Sequence, residues 1–126
     1  MQKIIFFIIG LTIYSIAIDI PTYYRLDIES MKITLKGAKE RLECLRKNCS
    51  LQEQYAIDEK IQNKISEIFS NANTTPSKHI GFYMQHRKDI LAYKENNLTL
   101  QQLYRNIQNS IENINEQIKT FLEGEQ

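Results

Sequence analysis

Apolar residues fall into four stripes of helical period, separated by short polar stretches. Tyr24, Ile28, Met31, Leu35, Ala38, Leu42 and Leu45 recur at alternating steps of 4 and 3. Such a heptad seam predicts a first helix over about 22–47. Gly37 interrupts it at a propensity cost of about 1 kcal/mol relative to Ala, which suits a point of close approach to another helix. Lys47-Asn48-Cys49-Ser50 then reads as a turn. Asn tolerates the left-handed conformation that ends helices, and Ser50 with Glu53 makes a capping box for a second helix from Leu51.

Leu51, Tyr55, Ile61, Ile65, Ile68 and Ala72, with Ile57 and Phe69 beside them, give the second helix a broad apolar stripe that ends in the polar run Ser70 to Thr75. Thr75 followed by Pro76 is an N-cap with proline in the first helical position. Ile80, Tyr83, Met84, Ile90 and Leu91 carry a third helix to about Glu95, where Asn96-Asn97 breaks it. Thr99 and Gln102 form another capping box. The fourth helix repeats the heptad steps through Leu100, Tyr104, Ile107, Ile111, Ile114, Ile118 and Phe121.

Four helices joined by short turns predict an all-α fold, either an antiparallel four-helix bundle or two packed helical hairpins. Only 4 Gly and 2 Pro are present, too few for a sheet with a hairpin every ten residues or so. Charge refines the picture. Residues 22–49 hold 7 basic and 4 acidic side chains, 50–72 hold 2 and 4, 73–97 hold 4 and 2, and 98–126 hold 2 and 4. The sign alternates from helix to helix, so sequential antiparallel neighbours attract in an up-down-up-down order. No convincing internal repeat or low-complexity linker divides the chain.

The first 17 residues stand apart. Lys3 precedes an uncharged run from Ile4 to Ile16, and Ser15-Ile16-Ala17 places small residues where a signal peptidase reads, so 1–17 is expected to be a signal peptide. The remaining 18–126 form one helical domain. A membrane anchor is the alternative, but Asp19 and Pro21 close the run short of the roughly 20 apolar residues a spanning helix needs. At 126 residues the chain is too short for a multidomain enzyme. Its formal charge of +1 falls to zero without Lys3, so no bulk field draws the processed protein to nucleic acid or to anionic lipid.

Export bears on Cys44 and Cys49, because oxidising compartments favour disulfides. Five residues apart in one unbroken helix, the two side chains would face different ways. They can bond only if the helix ends between them, as the signals at Asn48 and Ser50 indicate. The expectation is a disulfide stapling the first corner; a redox-active pair would instead sit at a helix start in a C-x-x-C spacing.

Other candidate chemistry is sparse. His79 and His86 lie about 10 Å apart along one helix, too far to share a metal without a further ligand. With Tyr83 and Arg87 they form an aromatic and basic strip suited to a partner or a pH response, unless these are ordinary boundary positions. Acidic pairs such as Glu40 with Glu43 and Asp58 with Glu59 sit among Lys39, Arg41 and Lys60, where i to i+4 pairing is their usual purpose. No catalytic set, phosphate loop or ligand cluster accompanies them, so neither enzyme activity nor a cofactor nor a metal is expected. The polar face of the fourth helix is largely amide, including Gln102, Asn106, Asn109 and Asn113, and amides bury at lower cost than charges. This face is a candidate protein contact, although a coding bias toward Asn and Gln would produce the same pattern. Asn48-Cys49-Ser50, Asn73-Thr74-Thr75 and Asn97-Leu98-Thr99 match the glycosylation pattern.

Together these features predict an exported, disulfide-containing helical protein that binds a protein partner, as a periplasmic or secreted inhibitor, adaptor or envelope accessory. The alternative is a single-pass membrane protein whose heptad helices self-associate or bridge envelope partners. Membrane contact follows only if the N-terminal segment is retained, and homo-oligomers are compatible with either.

Overall fold

The computed structural model describes residues 18–124; the expected signal peptide, 1–17, lies outside them. Four helices follow in order: α1 (Ile20–Arg46), α2 (Leu51–Asn71), α3 (Pro76–Glu95) and α4 (Leu98–Gly124). The fold is the expected all-α bundle.

The helix ends follow from local chemistry. The Asp19 carboxylate accepts a bond from Thr22 N at 2.8 Å, starting α1 two residues earlier than the apolar seam suggests. Accepting these bonds also lowers the Asp19 pKa. Ser50 Oγ accepts from Glu53 N at 3.1 Å and Thr75 Oγ1 from Lys78 N at 3.2 Å, so α2 and α3 begin where their caps predict. At α4 the expected Thr99 cap gives way to Asn97, whose Oδ1 accepts from Leu100 N at 3.0 Å. Two consecutive Asn broke α3, and the second of them was free to open α4.

Both earlier corners use the same device. Asn48 and Asn73 adopt left-handed conformations, with φ of 54° and 57°. Cys49 N donates to Cys44 O and Asn48 N to Leu45 O, each at 3.0 Å. Thr74 N donates to Phe69 O and Asn73 N to Ser70 O in the same pattern, again at 3.0 Å. These are paired Schellman bonds, which satisfy the carbonyls left open by a helix end. In each corner the next residue, Ser50 or Thr75, caps the following helix.

α1 is the central element, packed along α2, α4 and part of α3. It runs antiparallel to α2, with Arg41 paired to Asp58 and Glu40 to Lys60 at 3.4 Å. These links cross between helices, where the sequence suggested pairing within one helix. Both are partly exposed to solvent and set register more than stability. Gly37 is buried here against Ile61, and a side chain at that position would overlap the Ile61 side chain. The close approach read from the sequence is therefore real.

α4 lies parallel to α1. Tyr104 near its start bonds Asp27 near the start of α1, while Gln117 further along meets Arg46 at the end of α1, at 3.2 Å. A strict up-down-up-down order would make these helices antiparallel. The difference arises at α3, which crosses the N-terminal end of α1. His79, early in α3, contacts Tyr23, whereas Ile90 and Tyr93, late in α3, contact adjacent Tyr24. Eleven helical residues span about 16 Å, so a helix touching two neighbouring residues at both places must run transversely. The attraction between helices of opposite charge is too weak to override packing of the aromatic residues at this end.

That end holds the main core: Tyr23, Tyr24, Ile28, Ile90, Tyr104 and Ile107 are buried together. The Tyr24 hydroxyl donates to Ile90 O, and that of Tyr104 to the Asp27 carboxylate. Burial pushes the Tyr23 pKa up to about 12, reinforced by the nearby Asp27 charge. Burial also raises Tyr24 and Tyr104, with the Asp27 charge adding at Tyr24 and the hydrogen bond to Asp27 at Tyr104.

Candidate binding surface

The outer face of α3 is the most distinctive surface of the fold. Its inner face is taken up by His79, Phe82, Tyr83 and Ile90, which turn toward the aromatic core. Backbone angles at His86 depart from helical values (φ −121°, ψ 25°), a kink that separates the two halves of the helix. Ile80, Met84 and Leu91 project the other way and are 59%, 75% and 45% exposed. Spacings of 4 and 7 place them in one row. In the sequence all three count, with Tyr83 and Ile90, among the apolar residues that carry the third helix. α3 carries two apolar rows, and crossing the bundle lets it bury only one.

Exposed Arg87 and Lys88 lie within this stretch of α3, followed by exposed Asp89. At the beginning of the helix, Lys78, Gly81, Phe82 and Gln85 line a cavity of about 350 Å³ with Asn73, Thr74 and Ile18. Ile18, the first described residue, therefore enters the fold directly beside α3. Thr74 is buried and its hydroxyl has no hydrogen-bond partner among the described residues.

The His79–Tyr83–His86–Arg87 strip divides. His79 is only 7% exposed, so its place on a partner-facing strip is corrected. Its ring stacks on Tyr23 with centroids 4.2 Å apart, meets the edge of Phe69, and places Nε2 3.0 Å from Tyr23 O. Donation to that carbonyl satisfies the ring nitrogen inside the core. Tyr83 is half-buried on the same inner side, 6.1 Å from Tyr23 by ring centroids, which removes it from a free strip too. His86 and Arg87 remain exposed, His86 lying against Phe82 at 4.6 Å. Tyr23 is the missed partner. No spacing along the chain links it to a histidine 56 residues away.

Gln102, Asn106, Asn109 and Asn113 are all exposed along one row of α4. Their successive spacings of 4, 3 and 4 keep them on one helical face. Buried Tyr104 and Ile107 occupy the opposite side, against α1. The structure thus brings the four amides together on an accessible surface.

At the other end of the bundle, Cys44 and Cys49 bring their sulfurs to bonding distance, with Cα atoms 5.1 Å apart. The two residues occupy the Schellman positions between which a hydrophobic contact commonly forms, and the sulfurs make that link here. The Glu53 carboxylate is nearby, its oxygen and both sulfurs lying within 4.8 Å of one another. A metal could use this group only with both thiols free, which the pairing prevents. The sequon residues Asn48 and Ser50, like Asn73 and Thr75, are accounted for by the turn and cap they form. Asn97 serves as a cap itself.

No helix among the described residues is long and apolar enough to cross a membrane. Comparison with protein families, curated proteins and solved structures gives no match.

Proposed function

We propose that the chain is an exported helical protein that acts by binding, as an inhibitor, adaptor or envelope accessory in the periplasmic or extracellular space. The observation that carries this reading is the uncovered apolar row of α3. Three large apolar side chains aligned on one helix face, beside a second row that fills the core, are the pattern of a contact surface more than of scattered surface residues. The proximity of Cys44 and Cys49 supports an oxidising compartment. The amide row of α4 supplies a separate polar surface suited to a protein partner.

A self-associating coiled coil needs a free heptad seam. Tyr24, Ile28 and Leu42 of α1 and Tyr104 and Ile107 of α4 are instead buried within a single chain. This favours binding through the outer surfaces over assembly through the seams.

Photo-crosslinkers placed singly at Met84, Asn109 and exposed Gln52 test the reading in the native compartment. Adducts at Met84 or Asn109, with none at Gln52, are the expected result. Equal or absent capture at all three positions would refute it.

A further inference from the structure

We infer that the α1–α2 corner is a redox-gated site for a thiophilic divalent cation of the zinc class, with the Cys44 and Cys49 sulfurs and a Glu53 carboxylate oxygen as its protein ligands. Spacing along the chain accounts only for a staple here; the fold adds the third donor. All three ligand atoms lie within 4.8 Å of one another. Zinc held at about 2.3 Å from sulfur and about 2.1 Å from a carboxylate oxygen keeps tetrahedral donors about 3.5–3.8 Å apart. Side-chain rotation alone therefore completes the set once the sulfurs part. The cysteines are separated by five positions, so the intervening chain falls within the spacing usual for paired zinc ligands. Two sulfurs against one oxygen select a thiophilic ion over calcium or magnesium.

Two observations support a site beyond the sulfur pair. First, the backbone at the three donors is fixed without the sulfur bond. Cys49 N donates to Cys44 O and Asn48 N to Leu45 O, each at 3.0 Å, and Glu53 N donates to Ser50 Oγ at 3.1 Å. Reduction therefore leaves the donors in place. Second, Glu53 is uncommitted. Glu43 is bound to Lys47 at 2.8 Å and Glu40 to Lys60 at 3.4 Å, whereas the Glu53 carboxylate has no hydrogen bond or ion pair among the described residues. Its reciprocal capping-box bond to Ser50 N is not made, and the carboxylate lies beside the sulfurs instead. An open cavity of about 590 Å³ at the corner admits the ion, with room for a water as fourth ligand.

The sulfur bond and the metal exclude each other. In an oxidising compartment the corner stands closed. Two molecules of a low-molecular-weight thiol open it: they pass two electrons to the Cys44–Cys49 bond, leave as their own disulfide, and give both protons to the cysteines. The cation then displaces those two protons and takes both thiolates. This corner lies at the opposite end of the bundle from α3 and does not depend on what covers the α3 row.

The test uses the purified full chain, reduced with dithiothreitol and desalted without oxygen, beside the untreated oxidised chain. Co²⁺ is the probe, because thiolate ligation gives it a sulfur-to-metal charge-transfer band, and Zn²⁺ is then titrated in to displace it. A single Co²⁺ per reduced chain is expected, with no band from the oxidised chain or from the Cys44→Ser/Cys49→Ser variant. Glu53→Gln should weaken Zn²⁺ binding by about tenfold or more, since loss even of a group that supports a ligand costs that much. Glu43→Gln removes the same charge from a paired neighbour and should leave binding nearly unchanged. Helical circular dichroism should be retained in each variant. Absence of the charge-transfer band from the reduced chain would overturn the inference. Equal effects of Glu53→Gln and Glu43→Gln would also overturn it, by reducing the carboxylate to a general field. So would equal binding by the oxidised chain, which would place the ion elsewhere, or a single Co²⁺ shared between two chains, which would place it between sulfurs of two copies.

Discussion

Removing a single oxygen atom tests how α4 sits on α1. The Tyr104 hydroxyl donates to the Asp27 carboxylate across 77 positions of sequence, and Tyr104 is 6% exposed. Tyr104→Phe keeps the ring, its edge contact with Tyr24 at 5.9 Å and the Lys94 ammonium above it, and deletes only the bond. Hydrogen bonds to charged groups contribute about 1.5–3 kcal/mol, and half-buried Asp27 recovers some hydration when its partner is lost. The expected cost is therefore about 1.5 kcal/mol. Asp27→Ala removes the same bond from the other side, so the two losses must overlap. Urea unfolding of both single variants and the double variant, followed by far-ultraviolet circular dichroism, measures that overlap as a coupling energy. A coupling near 1 kcal/mol or above is expected. A value below about 0.3 kcal/mol, the additivity expected of independent sites, would refute the parallel register of α1 and α4.

Three further outcomes follow from the same structure. Tyr23, Tyr24 and Tyr104 all have folded pKa values raised above the ordinary 10.0, so they bind protons more tightly folded than unfolded. Their contribution is complete below pH 10 and is lost as pH rises, at about 1.4 kcal/mol per pH unit for each tyrosine. Urea midpoints should drop steeply between pH 10 and 12, the upper value being the folded pKa of Tyr23, and a flat profile there would contradict the burial of these phenols. At the first corner, Asn48→Ala should cost about 1–2 kcal/mol, because alanine resists the left-handed conformation. Asn48→Gly should equal or exceed the parent in thermal stability, and the reverse ranking would place the turn elsewhere. Replacing Cys44 and Cys49 by Ser should lower stability by about 2 kcal/mol, the chain-entropy value for so short a loop, with helicity retained. Complete loss of helical signal would mean that the corner nucleates the fold.

The first two corners were legible because each helix ending is written in adjacent residues. Asn48 and Asn73 supply left-handed positions, and Ser50 and Thr75 supply the next caps. The pairing of Cys44 with Cys49 follows from the first of these endings alone. Gly37 was readable as a close approach, but its neighbour Ile61 was not, since register between helices is a tertiary property. The direction of α3 was hidden for a similar reason. Charge alternation favours antiparallel neighbours, but Tyr23, Tyr24, Tyr93 and Tyr104 converge from three helices and draw α3 across the end of α1. His79 was misplaced with it, because burial depended on a distant Tyr23. A signal was present in α3: His79, Tyr83 and Ile90 trace one row and Ile80, Met84 and Leu91 another, more apolar surface than one side of a helix can bury. The amide row of α4 was legible as a face because Tyr104 and Ile107 fix which side turns inward.

Methionine oxidation reports directly on whether α3 keeps its outer row for a partner. Met84 is 75% exposed on that row, and half-buried Met31 packs against the aromatic core as an internal reference. In the purified protein, peroxide should convert Met84 to the sulfoxide well before Met31. In the intact native compartment the rate at Met84 should fall toward that of Met31, as a covering partner excludes the oxidant. An undiminished Met84 rate there, with Met31 unchanged, would show the row to be bare where the protein works and would contradict its use for binding.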